Sequence, residues 1–253
     1  MFSMKITFLG TGTSQGVPVI GCPCKVCNSL DPRDIRLRSS ALITVDSQNI
    51  LIDAGPDLRQ QLLNNKITQV DAILMTHEHK DHTAGLDDVR PLNFMTRKVM
   101  QIYGLQRVLN VIRKDYDYAF KKNKYPGSPE FQLNMIKDEA FTIGDLLIEP
   151  IAIQHLTLPI LGYKINNMAY ITDASFIAPS EISKLQNLDL LVINALRHKE
   201  HYSHFNLAQA IQVIKEINPK RAYLTHISHE MGQYADIAPT LPDNIFMAYD
   251  GLE

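Results

Sequence analysis

The sequence predicts a mixed α/β protein, and three observations lead to that class. Strand-like and helix-like segments are interleaved in both halves of the 253-residue chain, and no low-complexity linker separates them. Apolar residues make up 45% of the chain and charged residues 21%, which is ordinary globular usage and excludes disorder as the main state. A chain of this length buries about three quarters of its unfolded surface. We therefore predict one domain over residues 1–253 that needs no disulfides.

The first half of the chain alternates short strands with helices. Residues 5–9 alternate around Ile6 and Phe8 as a strand does, residues 46–48 are typical of a hairpin turn, and Pro56 suits the first turn of a helix. We predict strands over 5–9, 40–45, 49–53 and 70–75, a loop over 76–82, the start of a helix over 85–93, and helices over 56–64 and 105–121.

The second half is richer in strands. Asn206 is a candidate N-cap for a helix with apolar residues on one face, and Pro219 would end that helix. We predict helices over 179–185 and between Asn206 and Pro219, and strands over 132–136, 146–154, 162–165, 168–172, 189–194, 221–225 and 245–249.

Charge and hydropathy exclude several classes of protein. The chain has 25 basic and 27 acidic residues, a net charge of −2, which argues against a broad cationic surface for nucleic acid. No run of about 18 apolar residues could span a membrane, and residues 1–10 lack the apolar stretch of a signal peptide. We expect a cytoplasmic protein without a membrane partner.

The strongest chemical signal is His77-Glu-His79-Lys-Asp81-His82, which directly follows the predicted strand 70–75. It places three imidazoles and a carboxylate within six residues. Nitrogen and carboxylate ligands of this mix suit Zn, Mn or Fe. A solvated, charged loop is the alternative interpretation. The motif therefore predicts a metal site.

This motif resembles the signature of the metallo-β-lactamase fold, and the resemblance continues along nearly the whole chain. Asp53 in Asp-Ala-Gly, then His155, Asp173 in Thr-Asp-Ala and His226 in Thr-His-Ile-Ser-His follow in the order that this family shows. The resemblance implies a four-layer αβ/βα sandwich with a two-metal site at one edge of its two sheets.

The resemblance also implies which residues bind metal. Two divalent ions, Zn or Mn, would be held by seven side chains: His77, His79 and His155 on one ion, Asp81, His82 and His226 on the other, and Asp173 bridging both. Asp53 would orient a ligand imidazole, although a carboxylate that caps the turn before Pro56 explains this residue equally well.

Three cysteines, Cys22, Cys24 and Cys27, lie within six residues. An odd, clustered set argues for metal binding or reactive thiols rather than disulfides. A closed structural zinc site needs four ligands, and no other cysteine exists. His229, three residues after His226, is the candidate fourth ligand. Free thiols in a glycine-rich loop are the alternative.

The same cysteine arrangement resembles one branch of the fold, the cyclic phosphodiesterases of phosphonate breakdown and their relatives. In that branch a histidine at the position of His204 is proposed to act near the leaving oxygen. We expect His204 to be a general acid or a donor to a phosphoryl oxygen, with a surface residue at a helix start as the alternative. For His198 and His201 a surface role is favoured.

The resemblance implies a phosphodiester hydrolase that acts on small or cyclic phosphodiesters, with Asp81 and His204 needed for turnover. A hydroxide held by the two ions would attack phosphorus. Relatives also imply a homodimer. Residues 105–129 form a candidate lid, with an ordinary surface helix as the alternative. A large RNA is disfavoured as a substrate, because no insertion supplies a protruding arm. The net charge also gives no electrostatic support for binding RNA.

Two other activities stay open at this point. A thioester or lactone hydrolase could use the same two ions, but it would not explain the cysteines together with His204. A metal-binding protein without turnover is the other alternative, although every expected ligand is present in the sequence.

Overall fold

The computed structural model describes residues 4–253, so the first three residues of the predicted strand-like start lie outside it. The chain divides into two compact units. The first unit contains the chain up to Leu9, Ser40–Lys137 and Gly251–Glu253, and the second contains Gly10–Ser39 and Asp138–Asp250. The single domain stays a prediction. Within residues 4–253, no helix has the length and apolar character that crossing a bilayer requires.

The first unit is built on a six-stranded sheet. In spatial order its strands are β1 Met4–Gly10, β2 Ser40–Val45, β3 Gln48–Ile52, β4 Ala72–Leu74, β5 Met100–Gly104 and β6 Phe131–Met135. Its helices are α1 Leu58–Asn64, α2 Lys80–Thr83, α3 Arg90–Thr96 and α4 Gln106–Asp115, with 3-10 turns at Leu86–Val89 and Asp117–Phe120. Strands β2 and β3 form the predicted hairpin, and β3 to β6 run parallel.

Parallel pairing brings the chemically important loops of this unit to one edge. Ile52 of β3 pairs with Leu74 of β4, so Asp53 and the segment that begins at Thr76 leave the sheet side by side. The Asp53 amide donates to the Leu74 carbonyl at 3.0 Å. The carboxyl ends of parallel strands thus place a buried carboxylate beside the histidine motif.

Helix α4 confirms the predicted amphipathic segment but not its length. Val108, Leu109 and Ile112 are buried in the core of this unit. The helix ends at Asp115 rather than at residue 121. The Tyr116 hydroxyl donates to the Thr83 carbonyl at 2.9 Å. Residues 106–116 are therefore packed onto the segment that follows the histidine motif.

The second unit is built on an eight-stranded sheet. Its strands are β7 Phe141–Ile143, β8 Leu146–His155, β9 Leu158–Ile165, β10 Met168–Tyr170, β11 Phe176–Ile177, β12 Leu190–Asn194, β13 Arg221–Thr225 and β14 Ile245–Met247. The spatial order is β11-β8-β9-β10-β12-β13-β14, with β7 paired to β8. The helices are α5 Pro179–Lys184, α6 Leu207–Ile217 and α7 Tyr234–Ile237, with 3-10 turns at Pro32–Asp34, His229–Met231 and Ala238–Thr240.

In this sheet β10, β12 and β13 run parallel, and their carboxyl ends again carry the site residues. Asn194 of β12 pairs with Thr225 of β13, and Asp173 and His226 follow β10 and β13. Helix α6 begins with the predicted cap: the Gln209 amide donates to the Asn206 side chain at 2.8 Å. The mixed α/β class is confirmed.

Several predicted boundaries are wrong. Strand β5 was not predicted, and α1 begins at Leu58 rather than at Pro56. The predicted loop 76–82 ends in helix α2, because the His82 amide donates to the His79 carbonyl at 3.0 Å and closes a turn. This turn brings Asp81 and His82 back toward the start of the motif.

Candidate functional site

The histidine motif after β4 brings four candidate metal ligands together in the first unit. His77 Nε2 lies 3.0 Å from His79 Nδ1, and His82 Nε2 lies 3.2 Å from Asp81 Oδ2. The ring centroids of His77 and His82 are 4.2 Å apart. Zn–N bonds are about 2.0–2.1 Å long, so two nitrogens on one tetrahedral ion lie roughly 3.4 Å apart. Each close pair therefore suits one shared ion.

Asp53 orients two of these imidazoles. His82 Nδ1–H donates to Asp53 Oδ2 at 2.6 Å, and the Thr76 hydroxyl donates to the same oxygen at 2.8 Å. Since that hydroxyl hydrogen is used, Thr76 Oγ1 accepts from His77 Nδ1–H at 3.0 Å. Both rings then present Nε2, as metal-binding histidines do. Burial raises the pKa of the Asp53 carboxyl, and the His82 imidazole opposes that rise. These contacts favour the orienting role over a turn cap.

Asp173 is the centre of a second cluster, in the second unit. Its Oδ1 lies 3.1 Å from His204 Nε2 and 3.3 Å from His226 Nε2. Its Oδ2 accepts from the Thr172 hydroxyl at 2.6 Å. One ligand atom each from His155, Asp173 and His204 lies within 4.8 Å of the others. A carboxylate surrounded by imidazoles is a donor set suited to a divalent metal.

His155 is oriented by two backbone carbonyls. Its Nδ1–H donates to the carbonyl oxygens of Asp173 at 2.8 Å and Ser203 at 2.9 Å. The ring therefore carries its proton on Nδ1, and Nε2 is the nitrogen with the lone pair.

His226 is oriented by a hydroxyl relay. The Ser39 hydroxyl donates to the Gly12 carbonyl at 2.9 Å, so it accepts from His226 Nδ1–H at 3.1 Å. The lone pair then lies on Nε2, which is 3.2 Å from Thr13 Oγ1. In both units the buried histidines thus show one tautomer, with Nδ1 protonated and Nε2 able to bind metal.

Three site residues have a left-handed backbone. The φ angles of Asp53, Asp173 and His226 are 59°, 58° and 55°. A non-glycine residue in this region costs about 1–3 kcal/mol and persists where the surrounding structure enforces it. The strain falls where a strand ends and a candidate ligand or its orienting carboxylate begins.

The cysteine cluster is assembled entirely within the second unit. Cys22 Sγ and Cys24 Sγ lie 3.3 Å and 3.4 Å from His229 Nδ1. One ligand atom from each of Cys22, Cys24, Cys27 and His229 lies within 4.8 Å of the other three. With Zn–S near 2.3 Å and Zn–N near 2.0 Å, sulfur and nitrogen on one tetrahedral ion lie about 3.5 Å apart. The four side chains fit one zinc ion, and no disulfide joins the cysteines.

The surroundings of these thiols differ. The Cys27 amide and the His229 imidazole lower the pKa of the Cys24 thiol to about 6. Burial raises the pKa of the Cys27 thiol to about 11. Cys24 is therefore the thiol that is readily ionised at neutral pH, and thiolate is the form that binds metal.

Sequence reasoning proposed Asp53 as an orienting residue but missed the others that orient the ligands. Ser39 and Thr76 act as relays, and the Asn194 side chain accepts from the Ala174 amide at 2.7 Å, which holds the turn after Asp173. The available signal was weak: Asn194 is a polar residue at the end of an apolar strand run, Leu-Leu-Val-Ile-Asn.

The structure gives His198 and His201 different surroundings. His198 Nε2–H donates to the Met231 carbonyl at 2.9 Å, a structural contact. His201 differs from the expected surface role, because its Nδ1 lies 3.1 Å from His204 Nδ1. Burial and the His204 imidazole lower the pKa of His201.

A sequence model described as the beta-lactamase superfamily domain matches residues 48–227. The chain belongs to the beta-lactamase superfamily. This confirms the family and the metallo-β-lactamase fold that the motifs predict. Superfamily membership implies divalent metal ions and supports a metal-dependent hydrolase.

Solved structures of superfamily proteins are similar over the whole chain. A diphosphatase from the PhnP family aligns with a TM-score of 0.93 and 37% identity, covering 100% of this chain and 97% of that one. Zn²⁺-bound PqqB from Methylobacterium extorquens aligns with a TM-score of 0.80 and 17% identity, covering 99% of each chain. At 17% identity the second likeness shows the fold alone.

A curated relative is longer than this chain. The octanoyltransferase of Porphyromonas gingivalis (strain ATCC BAA-308 / W83) is 46% identical over 253 residues, which cover 99% of this chain and 51% of the relative. The chain thus spans about half the length of that relative.

Proposed function

We propose that the chain is a metal-dependent hydrolase of small or cyclic phosphodiesters. The observation that carries this proposal is the contact between His204 Nε2 and Asp173 Oδ1 at 3.1 Å. An imidazole beside the carboxylate that the resemblance assigns as a shared metal ligand supports a proton donor at this point. The 37% identity to a PhnP-family diphosphatase over 97% of its length adds support for phosphoryl chemistry.

We propose the ligand grouping that the family resemblance implies. In this grouping His77, His79 and His155 would hold one divalent ion, Asp81, His82 and His226 would hold the other, and Asp173 would be available to both. The donor spacings within each unit and the common histidine tautomer support this grouping. When bound, two such ions lower the pKa of a shared water and stabilise charge on phosphoryl oxygens.

The chain's own residues position the ligand side chains and supply a proton to the leaving oxygen. Asp53 holds the His82 ring, and Thr172 holds the Asp173 carboxylate. His204 Nε2–H donates to the leaving oxygen of the diester. The other ring nitrogen of His204, Nδ1, lies within hydrogen-bonding distance of Ser203 Oγ, at 3.0 Å. General acid assistance of this kind contributes about 10²–10⁴-fold in rate.

We further propose that Cys22, Cys24, Cys27 and His229 bind one structural zinc. The low pKa of the Cys24 thiol and the spacing of the four donors support this assignment. The ion would tie the loop at residues 22–27 to the 3-10 turn His229–Met231, and it would add its binding energy to folding.

Replacing His204 by alanine is expected to lower kcat about 10²-fold for a diester with an alkoxide leaving group. The loss should be smaller for a p-nitrophenolate leaving group, which needs little protonation. Metal content should stay at the wild-type value, measured by elemental analysis. The matched control is His198→Ala, because His198 is a histidine of the same segment whose Nε2–H donates to the Met231 carbonyl rather than to a candidate ligand.

An equal loss for both leaving groups would contradict the acid role of His204. Loss of metal in His204→Ala would make it a ligand instead, since its Nε2 lies within reach of the His155 and Asp173 donors.

The proposal is tested by pairing elemental analysis with a substrate panel. The panel contains bis(p-nitrophenyl) phosphate, 2′,3′-cyclic nucleotides, cyclic ribose phosphates and an octanoyl thioester. We expect about three metal ions per chain and turnover of the phosphodiesters. The thioester tests the second candidate, acyl hydrolysis, which the name of the Porphyromonas gingivalis relative favours. Turnover of the thioester alone would overturn the phosphodiester proposal.

A further inference from the structure

We propose that Tyr202, stacked on His201, is a binding platform for the base of a nucleotide substrate. This inference rests on the proposed function and adds to it a preference for phosphodiesters that carry a planar aromatic ring. The platform lies in the second unit, in the segment that leads into His204.

One face of the Tyr202 ring stacks on His201, while most of the side chain is exposed to water. The Tyr202 ring centroid lies 4.4 Å from that of His201, with 26° between the ring planes. Tyr202 is nonetheless 74% exposed. A large aromatic side chain that is stacked on one side and open to water on the other presents a surface on which a further ring can stack.

The platform is one imidazole away from the group that acts on the leaving oxygen. His201 Nδ1 lies 3.1 Å from His204 Nδ1, and their ring centroids are 5.0 Å apart. His204 in turn contacts Asp173. In a nucleotide the base is one sugar away from the phosphate. The proposal is that a phosphate beside His204 leaves its nucleobase on the Tyr202 side of His201, where the exposed ring can stack on it.

The segment that carries the platform is braced by hydrogen bonds. Arg197 donates to the carbonyls of Lys199 at 3.3 Å and Glu200 at 3.1 Å. Ser203 Oγ contacts His201 Nδ1 at 3.2 Å, while the Ser203 carbonyl accepts from His155. Because these contacts order the segment in advance, a ligand would lose less affinity to the entropy of ordering it.

Stacking on one aromatic ring discriminates poorly among bases, because every base has a π-face. We therefore expect the platform to accept purines and pyrimidines. A phosphodiester without a base would gain no binding affinity from the platform. The difference between the two substrate types isolates the platform from the chemistry of the metal site.

The test compares 2′,3′-cyclic AMP with glycerol 1,2-cyclic phosphate on the metal-loaded full chain. Tyr202→Ala should raise KM for the nucleotide about tenfold, equal to about 1.4 kcal/mol, with kcat within twofold of wild type. Tyr202→Phe should restore the wild-type KM. The matched control is Phe246→Ala, an aromatic residue on β14 that is 40% exposed.

Equal changes for both substrates, or no change for the nucleotide, would overturn the platform. If the wild type hydrolyses neither substrate, the proposed function fails, and calorimetric titration with adenosine 5′-monophosphate tests the platform separately. We then expect Tyr202→Ala to weaken binding about tenfold, and an unchanged Kd or undetectable binding to wild type would overturn the inference.

Discussion

Replacing Asp81 by alanine is expected to lower kcat/KM for a phosphodiester by about 10³-fold or more, with the fold intact. Asp81 supplies the carboxylate that lies 3.2 Å from His82 Nε2. A metal ion contributes several kcal/mol of charge stabilisation in the transition state, and each 1.36 kcal/mol is a factor of ten in rate. Asp81 lies on the short helix α2 and outside the apolar core, so its loss should cost little stability.

The measurements are steady-state kinetics, elemental analysis and thermal unfolding. We expect Asp81→Ala to retain a wild-type Tm and to bind one site ion more weakly. Asp138→Ala, which removes an exposed carboxylate, is the control and should match wild type in all three. Wild-type kcat/KM in metal-loaded Asp81→Ala would contradict the role of Asp81 as a ligand.

Replacing Cys24 by serine is expected to release one zinc ion and to destabilise the protein by about 4 kcal/mol, because loss of a bound metal is among the causes of the largest single-residue effects. For a chain of this size that lowers Tm by roughly 10 °C. Serine lacks the easily ionised thiol that the Cys27 amide and His229 stabilise. Removing zinc from wild type with a chelator should lower Tm by a similar amount.

Lys25→Ser is the matched control, because it changes an exposed residue of the same loop without touching a ligand. It should keep the zinc and the Tm. If Cys24→Ser retained both the wild-type zinc content and the wild-type Tm, the cluster would be a set of thiols without a structural ion.

Local rules sufficed where structure depends on residues close in sequence. Helix α6 begins at the predicted cap, because Asn206 and Gln209, three residues apart, form reciprocal hydrogen bonds. It ends before Pro219, as predicted. Strand β13, Arg221–Thr225, has its predicted bounds. The order of the candidate ligands along the chain was likewise enough to predict the family.

Strand β5 could not be predicted in the same way. Its buried residues Met100 and Ile102 alternate with the half-buried Gln101 and Tyr103, which is a weak pattern over five residues. The strand is held by parallel pairing with β4 and β6, whose residues lie about 30 positions away on either side. Such pairing is a tertiary effect that overrides local propensity.

Most contacts that orient the ligands were also beyond local sequence rules. Ser39 and His226 are 187 positions apart, and the contact between Asp53 and His82, 29 positions apart, was expected only through the family resemblance. No local pattern marks such pairs. The left-handed backbone of Asp173 and the stacking of Tyr202 on His201 are likewise set by the surrounding fold.

The most direct test of the two-metal proposal is anomalous diffraction from crystals of the full chain grown with excess Zn²⁺ or Mn²⁺. Two adjacent peaks are predicted, one bound by His77, His79 and His155, the other by Asp81, His82 and His226, with Asp173 touching both. A third, zinc peak is predicted at Cys22, Cys24, Cys27 and His229. Absence of any peak at the histidines, or donor atoms too far apart to share an ion, would contradict it.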